Sequence, residues 1–379
     1  MTYNPFREQY NSTSNTQPTL TSTPIPSLFK PFKVSNTSIN LKNHIAVSSM
    51  CSFAADNNHE IANLHHSRYK SFASQKPSII MFEGTFINSN SIIDDKELGI
   101  WNDEQAFKIK EIVDEIHSFG CICFIQLFHG GRMAKGLNIV APSSIPYDSN
   151  SIVPKELNLK EIAKIRFEYL EAAKRSINIC GFDGIEIACC NGNLLHQFQS
   201  KITNHREDEY GKKTIESRIK LLCEIIDDLN NEFNSTNDNS IKVPISVKFS
   251  INDNIKRASG IHPIEEDIMK MLKILVYDKK ISILNITSGK ISPNSKLRYT
   301  LNRNSNIPAH IIFSSFLKKE FSNTNCLIGC SGALNMNIPK LNDYIEKNKL
   351  DIAFIGEGFL EDPNLIESMA IKLNYLLPP

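Results

Sequence analysis

The side chains able to do chemistry in this sequence stand where short apolar runs end: Cys51, Gly84, Gln126, His129, Asn191, Lys248 and Ser288, with Gly332 and Gly356 after the last two runs. The glycines after the last two runs let backbone N–H groups approach an anion such as a phosphate. One stretch, "GFDGIEIACCNGNLLHQF" from Gly181 to Phe198, poses the sharpest question. Its apolar run gives way to Ala188, Cys189, Cys190, Asn191, Gly192 and Asn193 before a helical Leu194-Leu195. Adjacent cysteines on a strand face opposite sides, and no further ligand lies at suitable local spacing, so no metal site is expected. His196 and the pair His65-His66 also lack ligand partners in sequence and read as surface or core-edge residues. The 9 cysteines are irregularly spaced, which reads as free thiols in a reducing compartment, hence a cytoplasmic protein.

What must position these groups is a repeating unit. Candidate strands are "IAVSSM" (45–50), "SIIMFEG" (78–84), "CICFIQLFH" (121–129), "GIEIACC" (184–190), "ISVKFS" (245–250), "SILNITSG" (282–289), "CLIGCSG" (326–332) and "IAFIGEG" (352–358). Most gaps hold helical patterns closed by Gly, such as "DEQAFKIKEIVDEIHSFG" and "EIAKIRFEYLEAAKRSINICG". This rhythm predicts an α/β fold, a (β/α)8 TIM barrel, whose chemistry lies at the C-terminal ends of its strands. A doubly wound sheet would need a glycine-rich turn after its first strand, and "VSSMCSFAAD" has none.

Residues 1–27 are polar and rich in Ser, Thr, Asn and Pro, and they read as a disordered leader ahead of a barrel over 28–379. A net charge of +1 gives no electrostatic case for nucleic acid or an acidic membrane surface. No apolar run reaches bilayer length.

The strand ends together resemble the Old Yellow Enzyme family of FMN-dependent oxidoreductases, over roughly residues 28 to 375. "LFKPFKVSNTSINLKNHIAVSSMC" is similar to the family's opening, where a short N-terminal hairpin caps the barrel. "FIQLFHGGRMA" is similar to its Gln-Leu-x-His-x-Gly-Arg signature, and "APSSIP" and "NHREDEYG" followed by "ESR" also have counterparts. The resemblance implies FMN over the barrel mouth, reduced by NAD(P)H and reoxidised by a small-molecule acceptor. Carried over, Gln126 meets the flavin pyrimidine edge, Met50 and Gly84 line the ring, and Cys51 lies near its N5 and C4a. Lys248 replaces an Arg beside N1 and the C2 carbonyl, supplying the charge but not the planar fork. Ser288, Gly332 and Gly356 complete the cofactor set. His129, Arg132, Asn204, Arg206, Asp208 and Tyr210 match positions expected to be structural, and Glu186 one with a packing role. The resemblance also allows a homo-oligomer, although the C-terminal Arg that some relatives lend to a neighbouring subunit is absent.

Three departures bear on activity. After strand four the family has His-x-x-His or His-x-x-Asn and then Gly-Tyr; here Ala188 replaces the first donor, Asn191 keeps the second, and Asn193 stands in the Tyr position. Loss of one oxyanion donor costs about 2.7–4 kcal/mol of transition-state stabilisation. The third departure is Glu357, in the place of an Arg that meets the FMN phosphate. At about 4 Å it would repel the phosphate by roughly 4 kcal/mol, so it must point outward or FMN binds weakly. The expectation is an FMN-dependent NADPH dehydrogenase reducing quinone- or enone-like acceptors through a degraded polarising site, with Asn191, Cys51 and Asn193 as its catalytic candidates. The alternatives are an inactive barrel that binds a small ligand or protein partner, and a sugar-phosphate isomerase or aldolase using Lys248 and Glu186.

Overall fold

The computed structural model describes residues 24–235, 242–253, 266–295, 309–332 and 334–378; of the expected leader, residues 1–23 lie outside this set. Eight parallel strands form the core: β1 (Ile45–Val47), β2 (Ile79–Phe86), β3 (Ile122–Phe128), β4 (Gly184–Cys189), β5 (Ile245–Ser250), β6 (Ile283–Thr287), β7 (Leu327–Ser331) and β8 (Ile352–Ile355). Each pairs with its sequence neighbour, and β8 pairs back onto β1, so the sheet closes into the expected barrel. Several strands are shorter than the apolar runs that announced them. β1 stops at Val47, leaving Ser48 to Cys51 free to cross the barrel mouth.

The helices are α1 (Asn63–Ser74), α2 (Asp103–Ser118), α3 (Leu159–Lys174), α4 (Leu194–Gln199), α5 (Ile215–Phe233), α6 (Glu266–Lys273), α7 (Ala309–Glu320), α8 (Ile338–Glu346), α9 (Glu357–Glu361) and α10 (Leu365–Lys372). Helix α2 shows why they form. The Asn102 side chain accepts from Gln105 N at 2.9 Å, which satisfies one of the helix's free N–H groups. Ala106, Ile109, Val113 and Ile116 recur at three- and four-residue spacing and are buried against the sheet. Gly120, at φ 68°, turns the chain toward β3. Helix α3 begins with a reciprocal cap between Asn158 and Glu161 and ends in a wider turn that Gly181 terminates at φ 82°.

Alternation along the strands sorts side chains into interior layers. The lowest is apolar: Ile79, Met81, Phe124, Ile283, Ile352 and Phe354 pack with Val34, Ile39 and Leu41 of the capping hairpin. That hairpin pairs Phe32–Lys33 with Asn40–Leu41. Above it lies a polar layer, and at the mouth a second apolar cluster of Phe86, Ile92, Phe128, Ala188 and Cys190. The polar layer and the upper cluster make the site.

Candidate active site

Register sets the site. Gln126 pairs with Gly84 on one side and Glu186 on the other. Lys248 pairs with Ala188 and Asn285. The fully buried Glu186 carboxylate accepts from Gln126 Nε2 at 2.7 Å, from Ser246 Oγ at 2.9 Å and from Asn285 Nδ2 at 2.9 Å. Gln126 Oε1 accepts from Ser49 Oγ at 3.0 Å, and Asn285 Oδ1 accepts from Ser331 Oγ at 2.9 Å. One chain of hydrogen bonds therefore crosses the barrel from β1 to β7. It orients the Gln126 amide, with nitrogen toward Glu186 and oxygen toward Ser49. Glu186 does more than pack; it anchors this chain.

Lys248 enters the barrel end, as its apolar flanks imply. It is 5% exposed and donates to Ser48 Oγ at 3.4 Å. Among the described residues no carboxylate forms an ion pair with it. A buried ammonium without a counter-charge is costly unless a ligand supplies one. Ser250, two residues on and on the same strand face, is buried with its Oγ unpartnered, and His310 Nδ1 is likewise unpartnered. His310 Nε2 shares a hydrogen bond of 3.0 Å with Ser288 Oγ.

Met50 and Cys51 arrive on the segment after β1. A Cβ on Gly356 would lie 3.0 Å from Met50 Sδ, and one on Gly84 would strike the Phe128 ring at 2.3 Å. Both glycines are required by close approach. Gly332 has φ 122°, a backbone shape side chains rarely tolerate. Glu357 opens α9 with its side chain exposed. Burial pushes the Cys51 thiol well up, and Glu97, its hydrogen-bond partner, and Glu83 push it further. Cys51 is therefore a neutral thiol. Glu97 itself is held by Asp94 N at 2.9 Å.

The β4 turn is ordered by contacts that sequence reasoning missed. Asn191 and Gly192 have positive φ, 55° and 81°. Gly192 N donates to His196 Nδ1 at 3.0 Å, and His196 Nε2 meets Asp253 Oδ1 at 2.9 Å. His196 is thus fully buried, not a surface residue. His65, also fully buried, bonds Ser52 Oγ at 2.9 Å, whereas His66 is half-exposed. Cys189 faces the helices and Cys190 the barrel mouth, as alternation requires, and all nine cysteines are free. Ala188 lies in the apolar wall with Phe86 and Phe128, whose rings are 4.0 Å apart. Asn193 precedes α4, 7% exposed, and its side chain caps nothing.

The remaining motif residues hold loops. His129 Nδ1 accepts from Gly131 N at 2.9 Å, and burial depresses the ring to about 3. Arg132 donates to Pro146 O at 3.1 Å and to Ile291 O. Asn204 Nδ2 donates to Phe198 O and Tyr210 O, while Arg206 joins Pro142 O to Asp208. Ser49, Glu97, Phe128 and His310 carried no sequence signal strong enough to select them. Strand alternation could have placed Glu186 inward beside Ala188. Among the described residues, no cluster of three or more His, Cys, Asp or Glu side chains could hold a metal ion, and no helix is long and apolar enough to cross a membrane.

The barrel mouth thus carries an oriented amide, a buried cation and close-packed glycines. Residues 27–375 match the model of the NADH:flavin oxidoreductase / NADH oxidase family. An NADPH dehydrogenase from Clostridium acetobutylicum is 31% identical over 347 residues, covering 90% of this chain and 94% of that protein. An NADPH dehydrogenase from Listeria welshimeri is 41% identical over 202 residues, 52% of this chain and 58% of that protein. Among solved structures, the old yellow enzyme homologue from Zymomonas mobilis superimposes with TM-score 0.73 at 24% identity, covering 93% of this chain and 94% of that one. Morphinone reductase does so with TM-score 0.72 at 20% identity, covering 93% and 91%. The chain belongs to the NADH:flavin oxidoreductase / NADH oxidase family, the Old Yellow Enzyme family that its motifs resemble. It is an oxidoreductase whose cofactor is FMN.

Proposed function

We propose that this protein is an NAD(P)H oxidoreductase that passes electrons to quinone-like acceptors in preference to enones. The observation that carries this reading is the contrast across β4 and β5. Lys248 is a buried cation awaiting a counter-charge, whereas its register partner Ala188 presents only a methyl group. The cofactor side of the mouth is equipped; the substrate side is not.

The residues present fit FMN. Gln126 and Lys248 would hold the pyrimidine edge, with Met50, Cys51 and Gly84 against the ring. Ser288, Gly332 and Gly356 would serve the remaining polar groups. Backbone N–H groups at Gly332 and Gly356 would hold the phosphate, with Glu357 exposed beside them. Bound FMN would supply the hydride-transfer chemistry between a nicotinamide nucleotide and an acceptor. Lys248 stabilises the negative charge that develops on reduction. Cys51, kept protonated, offers a polarisable neutral sulfur. Asn191 would hold an acceptor oxygen at the turn, and Asn193 brings no acid to protonate carbon. A quinone needs less help, since its reduction places charge on oxygens that solvent protonates. The nine free thiols support a reducing, cytoplasmic setting.

The test restores the lost donors. Ala188→His with Asn193→Tyr is expected to raise cyclohexenone reduction about a hundredfold or more, with quinone reduction changed little. Phe128 shares the wall with Ala188, so Phe128→Leu should accompany the pair to make room. Wild type that already reduces cyclohexenone as fast as the variant would overturn the proposal.

A further inference from the structure

His310 belongs to none of the motifs above, yet it is the most unusual polar group at the mouth. It lies in the first turn of α7, 4% exposed, with Nε2 tied to Ser288 at the end of β6. Among the described residues its buried Nδ1 has no partner. Burial and the nearby charge of Lys248 depress the ring to about 4, so it is neutral near pH 7. A neutral imidazole has one donor and one acceptor nitrogen, and only one of them is used here. Ser250 Oγ, on the Lys248 strand, is a second buried atom with nothing to bond. Orphaned buried groups of this kind are rare in folded proteins and call for a bonding partner. Two of them flank one buried cation.

We propose that His310 is a cofactor-binding residue: its Nδ1 hydrogen-bonds a polar group of the bound flavin nucleotide beside Lys248. The inference rests on the cofactor assignment. Its logic is that lysine brings a point charge without the directional fork of an arginine. His310, held in place by Ser288, supplies a second, directional bond on that side of the cradle.

The test is FMN and riboflavin affinity, read by quenching of flavin fluorescence on titration into the flavin-free full chain. His310→Ala and the space-filling His310→Phe are expected to weaken FMN binding about tenfold or more, and His310→Gln, which keeps a donor and an acceptor, to recover much of the loss. Equal weakening for riboflavin assigns the contact to the ring or ribityl chain, and weakening confined to FMN assigns it to the phosphate. Either supports the proposal. Folded Ala and Phe variants, shown by unchanged melting, that bind FMN like wild type would overturn it, as would a Gln variant no better than Phe. Wild type that takes up no FMN would sink the cofactor assignment itself, a result distinct from these.

Discussion

Glu186→Leu keeps most of the side chain's volume and removes every hydrogen bond it accepts. Three donors then lose their acceptor: Gln126 Nε2, Ser246 Oγ and Asn285 Nδ2. A buried donor without a partner costs about 1–3 kcal/mol. Allowing the Ser246 hydroxyl to rotate leaves two orphaned donors, and the expected loss is roughly 2–6 kcal/mol. Unfolding entropy near 2.1 cal/mol/K per residue, over a barrel of about 350 residues, converts this to a fall of about 3–8 °C in Tm. Glu186→Gln should behave differently. Rotation of the Asn285 amide by half a turn lets its oxygen accept from the new amide while its nitrogen donates to Ser331, so the network can re-pair with a loss of about 1 kcal/mol. Both changes free the Gln126 amide from the carboxylate that orients it, and FMN affinity should fall more for Leu than for Gln. The assay is thermal unfolding of the flavin-free protein by circular dichroism, followed by FMN titration. A Leu variant melting within about 1 °C of wild type would refute the view that this network anchors the site.

Further predictions concern protonation. Because burial, Glu97 and Glu83 raise the Cys51 thiol, iodoacetamide should modify it slowly at pH 8 in flavin-free protein; Glu97→Gln should speed the reaction by about tenfold, and an unchanged rate would remove Glu97 from the account. His129 is neutral in the folded state, with its ring depressed to about 3, while the unfolded chain protonates near 6.5. Its contribution is therefore present above pH 6.5 and is lost as pH falls from 6.5 toward 3, at about 1.4 kcal/mol per pH unit. Urea unfolding at pH 7 and pH 5 should show His129→Gln losing about 2 kcal/mol less than wild type on acidification; equal losses would contradict the assignment.

Much of this site was legible in the chain. The eight apolar runs located every barrel strand, because a strand buried on both faces leaves a continuous apolar signature. The apolar flanks of Lys248 announced an inward lysine, and alternation separated Cys189 from Cys190. What stayed hidden depends on contacts between distant residues. The buried His196 ring donates a hydrogen bond to Asp253, 57 residues away, and nothing local to "NLLHQF" shows that. His310 is a single histidine in an apolar helix start until β6 brings Ser288 to it. Glu357 is exposed in the opening turn of α9, a placement set by where β8 ends and not by any local pattern.

We propose that this barrel keeps its flavin cradle and has lost its carbonyl-polarising donor. The most direct measurement is anaerobic absorbance of FMN-loaded protein, titrated with NADPH and then mixed with benzoquinone or with cyclohexenone. The account predicts that NADPH bleaches the flavin bands, that benzoquinone restores them rapidly, and that cyclohexenone does so about a hundredfold more slowly or worse. Bands that NADPH leaves unchanged, or that cyclohexenone restores as fast as benzoquinone, would contradict it.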